Sequence, residues 1–259
     1  MAADTLIIVP ARAASTRFPG KPLAPLRGAT GTPKPLVQRS WEAARRVNGA
    51  ARVIVATDDR DIAAVVEGFG GEAVMTPASC ANGTERCAAV VAGLAHKPGL
   101  VINLQGDAPL TPAPMVEALM TGTAPVRTPA VLAHAALRDR LLADAAAGRV
   151  GGTTCVFARD RRALYFSKRV LPYIPAGQAA DIHLHVGVYA YTPAALAAYA
   201  AAPASALEQL EGLEQLRFLD IGIDIGVVIA SAPGNDLWEV NNPEDIAPVE
   251  AMLARLGIA

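Results

Sequence analysis

The sequence has little of several features that would narrow its function at once. Of its 259 residues only three are cysteines and 5% are aromatic, and the 23 basic and 24 acidic side chains give a formal net charge of −1. Binding to nucleic acid relies on an excess of cations, so this balance argues against a general electrostatic attraction to DNA or RNA. No run of 18 or more apolar residues occurs, so the sequence predicts no membrane-spanning helix.

The remaining composition predicts a globular protein of the cytoplasm. Hydrophobic residues make up 52% of the chain and charged residues 18%, which excludes a disordered chain and allows a large core. Cys80, Cys87 and Cys155 are scattered and odd in number, so they favour reduced thiols over a disulfide framework or a zinc site. Residues 1–5 lack a basic region and lead into an apolar segment, so we expect no signal peptide.

Apolar runs alternate with helical patterns in the first part of the chain. Strands are predicted at residues 6–10, 52–57, 72–75 and 100–104, and helices at 34–48, 61–69 and 84–94. This alternation is typical of βαβ units and predicts an α/β fold with a mostly parallel sheet. Ligands of such sheets bind beyond the carboxyl ends of the strands, and polar clusters follow all four predicted strands.

The later part is less regular, and its pattern predicts fewer elements. Strands are predicted at residues 187–191 and 227–230, one helix at 205–218 and a closing helix at 243–256. Within the helix at 205–218, Glu208, Glu211 and Glu214 have helical spacing, which usually indicates a solvated face.

The loop after the first predicted strand has the composition of a polyphosphate site. Between Pro10 and Leu23 it contains three cations, Arg12, Arg17 and Lys21, together with two hydroxyl side chains. Arginine presents forked donors to phosphate oxygens and lysine presents a point charge. The alternative is a solvated basic loop. The spacing matches neither a Walker loop nor the glycine fingerprint of dinucleotide-binding folds.

Two other positions suggest chemistry. Asp107 follows the strand predicted at 100–104, where a carboxylate suits Mg²⁺; the alternative is a turn or helix cap. His185 lies on an alternating, strand-like segment that continues into the strand predicted at 187–191, near Tyr189 and Tyr191. There it could donate to a sugar hydroxyl or carboxylate; the alternative is a structural histidine.

In their order along the chain, these motifs resemble the 3-deoxy-manno-octulosonate (Kdo) cytidylyltransferase, or CMP-Kdo synthetase, family. Each motif is short and weak alone, but the ordered set spans nearly the whole chain. The matching segments are Pro10-Ala11-Arg12, Ser15-Thr16-Arg17, Pro19-Gly20-Lys21-Pro22-Leu23, Ala56-Thr57-Asp58, Gly83-Thr84-Glu85-Arg86, Gln105-Gly106-Asp107, Ala163-Leu164-Tyr165-Phe166-Ser167, His185 with Gly187, Tyr189 and Tyr191, Leu213-Glu214-Gln215-Leu216-Arg217, and Pro243-Glu244-Asp245.

The resemblance implies a fold and an activity. The fold would be that of nucleotide-diphospho-sugar transferases, Rossmann-like, with a mixed, mostly parallel sheet in three αβα layers. Residues 1–259 would form a single nucleotidyltransferase domain, in which 110–190 contribute a smaller acceptor or dimerisation subregion. The enzyme, a cytoplasmic homodimer of lipopolysaccharide biosynthesis, would use Mg²⁺ to transfer CMP from CTP to the anomeric hydroxyl of an acidic sugar, releasing pyrophosphate.

The same resemblance implies roles for individual residues, carried over by position. Lys21, Arg12 and Asp107 would be catalytic, and Asp107 and Asn241 would hold Mg²⁺. The nucleotide would be bound by Arg12, Ser15, Arg17, Lys21, Asn82, Gly83, Thr84 and Gln105. The acceptor would be bound by Gln105, His185, Tyr189, Glu214 and Gln215.

Four positions depart from the family pattern. Ala108 replaces a Glu, Asn241 an Asp, Lys168 an Arg and Leu184 an Arg. Three interpretations stay open: a Kdo enzyme with tolerated changes, a cytidylyltransferase for another acidic acceptor (an amino-Kdo, another ulosonic acid or a small phosphonate), or a non-catalytic CTP-binding relative. Asp236 or Glu239 could compensate for the carboxylate that Asn241 lacks.

Overall fold

A computed structural model of the chain describes residues 4–14, 17–175, 177–231 and 239–259. No helix in these ranges is long and apolar enough to cross a membrane. The strands are β1 (Thr5–Ala11), β2 (Pro25–Arg27), β3 (Pro33–Pro35), β4 (Ala50–Thr57), β5 (Glu72–Met75), β6 (Leu100–Leu104), β7 (Val126–Leu132), β8 (Thr154–Phe157), β9 (Ala163–Ser167), β10 (His183–His185), β11 (Val188–Tyr191) and β12 (Ile225–Ile229). The helices are α1 (Leu36–Arg45), α2 (Arg60–Gly68), α3 (Gly83–Gly93), α4 (Ala113–Met120), α5 (Ala135–Ala146), α6 (Pro193–Ala201), α7 (Ala206–Glu211), α8 (Leu216–Asp220) and α9 (Ile246–Arg255).

The chain divides into two compact units. The first contains residues 1–117 and 232–259, and the second contains residues 118–231. The subregion predicted at 110–190 overlaps the second unit but ends before it does. The single domain and its acceptor or dimerisation subregion stay predictions.

The first unit contains a parallel sheet in the order β5-β4-β1-β6. Ile7, Ile8, Ile54 and Ile102 on its inner strands are completely buried. Strands covered on both faces read as continuous apolar runs, which is why the sequence pattern located them. The carboxyl ends of β1, β4 and β6 lie at one edge, so the polar residues that follow them meet there.

The end of the chain returns to the first unit and packs against the loop that follows β1. Val240, Val249 and Leu253 are buried in one cluster with Leu26 and Leu36. This apolar contact fixes the start of the returning segment near the carboxyl edge of the sheet.

The second unit is built around β7, which pairs antiparallel with β10 and β11 and parallel with β12. The strands β8 and β9 extend this mixed sheet beyond β10. Together with the parallel strands of the first unit, this confirms the predicted α/β class with a mixed sheet.

The single helix predicted at residues 205–218 is wrong. Gly212 adopts a left-handed conformation with φ of 60° and ends α7, and α8 begins only at Leu216. The break also overturns the solvated face predicted for the glutamates, because Glu208 is buried and forms an ion pair with Arg217. The predicted closing helix is shorter as well, since one 3₁₀ turn, Pro243–Asp245, precedes α9.

Candidate active site

The predicted catalytic lysine and carboxylate lie together in the first unit. Lys21 Nζ donates to Asp107 Oδ2 at 2.6 Å, and both side chains keep partial access to solvent. Gly20, with φ of 68°, turns the chain into a 3₁₀ turn that begins at Lys21, and Asp107 follows the end of β6. A positive φ is accessible to glycine at little cost, so this turn directs Lys21 to the carboxyl edge.

Asn241 lies beside the same pair. Its side-chain oxygen accepts a hydrogen bond from Arg17 Nη2 at 3.4 Å, and the amide of the preceding Val240 donates to the Asp107 carbonyl at 2.9 Å. The Asp245 carboxylate accepts from the backbone amide of Asn241 at 2.8 Å, which orders the turn. The structure therefore brings together Arg17, Lys21, Asp107 and Asn241.

Glu239, named from sequence only as a compensating residue, also faces this group. Burial, and after it the neighbouring negative charge of Asp107, raise the pKa of Glu239 to about 7. A hydrogen bond with Asn241 and the positive charge of Lys21 oppose that shift. Ser15 and Asp236 lie outside the described residues.

Two hydrogen bonds hold the loop that bears Arg12. Arg12 Nη1 donates to the Ala81 carbonyl at 3.4 Å, and the amide of Ala13 donates to Asp58 Oδ1 at 3.3 Å. Arg86, whose side chain is only 2% exposed, donates to the other Asp58 oxygen at 3.0 Å. Sequence reasoning missed this role of Arg86, although its motif was noted.

The first turn of α3 brings together several of the residues predicted to bind the nucleotide. Asn82 caps the helix by accepting from the Glu85 amide at 2.9 Å, and Thr84 is buried. A Cβ on Gly83 would lie 3.1 Å from Asn103 Nδ2 and 3.3 Å from Gln105 Nε2. Asn103 was missed because it is an interior residue of an apolar strand. Glycine at this position therefore lets the Asn103 and Gln105 amides approach the start of α3 closely.

Three of the residues predicted to bind the acceptor cluster in the second unit. His185 Nε2 shares a hydrogen bond of 2.9 Å with Thr128 Oγ1, and its ring packs at 5.5 Å from that of Tyr189. Burial lowers the pKa of His185 to about 3, so the imidazole is neutral at physiological pH. The Tyr189 hydroxyl donates to Gln215 Oε1 at 3.1 Å. Glu214, which directly precedes Gln215, is half-buried.

The close approach of two loops at Gly106 gives a testable expectation. A Cβ at this position would lie 2.3 Å from the Pro10 carbonyl oxygen, which is backbone and cannot rotate away. We expect Gly106→Ala to lower the free energy of unfolding by about 1–3 kcal/mol, as overpacking does, and to lower turnover by displacing Asp107. Thermal denaturation and kcat measure the two effects.

The matched control is Gly68→Ala, at the last residue of α2. A Cβ there meets nothing within 4 Å. Alanine is favoured over glycine in helices by roughly 0.5–1 kcal/mol, so this variant should be as stable as the parent or more stable. Equal behaviour of the two variants would show that Gly106 is not constrained.

The group around Asp107 has the donor chemistry that Mg²⁺ requires. In the described ranges, no three or more His, Cys, Asp or Glu side chains are grouped so that they could hold a metal ion. Mg²⁺ needs no such cage, because it is bound through one or two carboxylates, water and substrate phosphates. Asp107 and Glu239 offer two carboxylates, and Asn241 offers an amide oxygen, so the residues fit the ion.

Comparisons with known proteins agree with the resemblance seen in the sequence. Residues 6–225 match the family model described as Cytidylyltransferase. The chain is 41% identical to a 3-deoxy-manno-octulosonate cytidylyltransferase of Maricaulis maris, over 98% of each chain. It is also 41% identical to an 8-amino-3,8-dideoxy-manno-octulosonate cytidylyltransferase of Shewanella baltica, over 97% of this chain and 99% of that relative.

A solved structure shares the fold. It is the CMP:2-keto-3-deoxy-manno-octonic acid synthetase complexed with CTP, which superposes with a TM-score of 0.84 at 34% identity and covers 98% of this chain and 99% of its own. The family match and the extent of these similarities show that this chain belongs to the cytidylyltransferase family.

Proposed function

We propose that this cytidylyltransferase transfers CMP from CTP to the anomeric hydroxyl of Kdo, with Mg²⁺, and releases pyrophosphate. The observation that supports this most strongly is the group formed by Arg17, Lys21, Asp107 and Asn241 at the carboxyl edge of a parallel sheet. It combines two cations suited to a polyphosphate with oxygen ligands suited to the ion that accompanies a nucleotide.

In this proposal the cations act on the triphosphate. Nucleotidyl transfer places the acceptor oxygen in line with the α-phosphate, and catalysis comes mainly from positioning and charge neutralisation. Arg12, Arg17 and Lys21 would bind phosphate oxygens, and Lys21 would leave Asp107 to do so. Mg²⁺ held by Asp107 would neutralise charge on the phosphates.

The base and the acceptor would be bound by groups with less charge. Asn82, Gly83, Thr84 and Gln105 would contact the cytosine through amides and short side chains. His185, being neutral, would act towards the acceptor as a hydrogen-bonding group and not as a cation. The hydrogen bond between Tyr189 and Gln215 would orient both side chains towards sugar hydroxyls.

A second acceptor is favoured by a specific observation. The 8-amino-3,8-dideoxy-manno-octulosonate enzyme is as similar to this chain as the Kdo enzyme, at 41% identity. In the second unit, Leu184 and Lys168 replace two arginines of the family pattern. Arginine is the side chain that binds a carboxylate through two parallel hydrogen bonds. We therefore keep 8-amino-Kdo as the alternative acceptor.

The deciding experiment measures pyrophosphate release with CTP and Mg²⁺ while the acceptor is varied. The panel contains Kdo, 8-amino-Kdo, another ulosonic acid and a small phosphonate. Release with Kdo at the highest kcat/KM supports the proposal. Preference for another member of the panel would make that compound the acceptor in place of Kdo. Binding of CTP without release for any acceptor would favour a non-catalytic CTP-binding protein.

The homodimer and the cytoplasmic location are further proposals that rest on the family resemblance. Light scattering coupled to gel filtration gives the mass in solution, and a mass near twice 26.7 kDa is expected.

A further inference from the structure

Position 241, in the first unit, departs from the family's pattern in a way that the site described above does not explain. The resemblance predicts an aspartate at position 241 as the second carboxylate for Mg²⁺, and the chain has Asn241 there. Its amide oxygen is neutral and accepts from Arg17 at 3.4 Å. A neutral oxygen that faces a guanidinium is a poorer ligand for a hard divalent cation than a carboxylate.

Glu239 lies on the same face of the chain as Asn241. Val240 between them is fully buried, whereas both flanking residues are partly accessible to solvent. Side chains two positions apart in an extended segment point to the same side, and those between them point to the other. The hydrogen bond between Glu239 and Asn241 agrees with this arrangement.

The shared face is directed at the catalytic pair. The Val240 amide donates to the Asp107 carbonyl at 2.9 Å, which fixes the segment against the end of β6. The carboxylate of Glu239 interacts electrostatically with both Asp107 and Lys21. Two like charges beside one lysine repel each other, and a divalent cation removes that repulsion.

We propose that Glu239 supplies the second carboxylate of the magnesium site, in the role that the family pattern gives to an aspartate at position 241. The inference rests on the proposed function only in that it assumes a divalent cation accompanies CTP. The exchange leaves the number of carboxylates unchanged and moves one of them by two residues. It predicts that a protein with Asn241 binds the cation as an Asp-bearing relative does.

The test measures cation affinity directly, by the electron paramagnetic resonance signal of free Mn²⁺. The full-length protein is titrated in the presence of an α,β-methylene analogue of CTP, and Mg²⁺ is then added as a competitor. The variants are Glu239→Gln, Asn241→Asp, and the two combined. Glu244→Gln, an exposed carboxylate five residues further along, is the matched control.

Glu239→Gln is expected to weaken Mn²⁺ binding at least about tenfold, since even residues that only support metal ligands cost 10–100-fold when changed. Glu244→Gln should bind as the parent does. The double variant should recover to within about threefold of the parent, because Asp at 241 restores the missing charge. An affinity of Glu239→Gln within twofold of the parent would overturn the proposal, and so would a double variant that stays as weak as Glu239→Gln.

A second readout separates a ligand from a structural residue. Without metal, Glu239→Gln removes the repulsion with Asp107, so its Tm should be no lower than the parent's. A clearly lower Tm, or failure to fold, would make Glu239 a structural residue and overturn the proposal.

The outcomes also distinguish this inference from the proposed function. If no acidic sugar supports pyrophosphate release but Mn²⁺ affinity depends on Glu239, the reaction is wrong and the metal assignment holds. If Kdo is a substrate while Glu239→Gln binds Mn²⁺ normally, the reaction holds and the assignment is wrong.

Discussion

Lys21→Ala is expected to lower kcat for pyrophosphate release at least about a hundredfold. Removing one preorganised donor to developing charge costs about 2.7–4 kcal/mol of transition-state stabilisation. In the proposed function Lys21 is such a donor, and the turn after Gly20 holds it 2.6 Å from Asp107 at the carboxyl edge of the sheet. Steady-state kinetics with saturating CTP and acceptor measure the effect.

The control is Lys34→Ala. Lys34 is also partly buried and also forms an ion pair, with Glu42 at 2.8 Å, but it lies on β3 and is assigned no role in catalysis. Its kcat should stay within about twofold of the parent, because partly exposed pairs of this kind contribute at most about 1 kcal/mol to stability. A Lys21→Ala enzyme that turned over within a few-fold of the parent would remove Lys21 from the mechanism.

The sheet of the first unit could be predicted from the sequence because each of its strands has a local sequence pattern. The strands β1, β4, β5 and β6 are short apolar runs, and their order in a parallel sheet places the residues after them at one edge. The ion pair between Lys21 and Asp107 follows from that geometry, although 86 positions separate the two residues.

The elements of the second unit were harder to predict, because they depend on contacts between residues that are distant in the sequence. β7 contains Pro129 and the buried Arg127, so it does not read as an apolar run. The helix α7 ends at Gly212, a left-handed residue that lets the carbonyl groups at the helix end be hydrogen-bonded. The apolar residues keep their helical spacing through this break, so the sequence pattern does not reveal it. The role proposed for Glu239 rests on the side chains that it faces, because the sequence alone named it only as one of two residues that could compensate for Asn241.

The break at Gly212 brings Glu208 and Arg217 together in a buried ion pair of the second unit. Arg217 donates from Nε and Nη2 to the two oxygens of Glu208, each at 2.7 Å, and its guanidinium lies 4.0 Å from the ring centre of Tyr199. The Tyr199 hydroxyl and the Ser205 amide also donate to Glu208. Both charges are therefore fully compensated away from water, which is the condition under which a buried pair is stable.

Arg217→Met should lower the free energy of unfolding by about 3–5 kcal/mol, because it leaves the Glu208 carboxylate buried and uncompensated. Urea denaturation measures the loss. Arg149→Met is the matched control, since Arg149 is 65% exposed and pairs with Asp144 at 2.6 Å, and an exposed pair contributes about 0–1 kcal/mol.

Combining Arg217→Met with Glu208→Gln should recover part of the loss, because removing the second charge ends the electrostatic penalty. Gln215 lies two residues before Arg217 and accepts from Tyr189, so KM for the acceptor should rise in the single variant more than KM for CTP. A loss no larger than that of Arg149→Met would mean that the second unit does not depend on this pair. Equal effects on both KM values would show that the ion pair between Arg217 and Glu208 does not support acceptor binding.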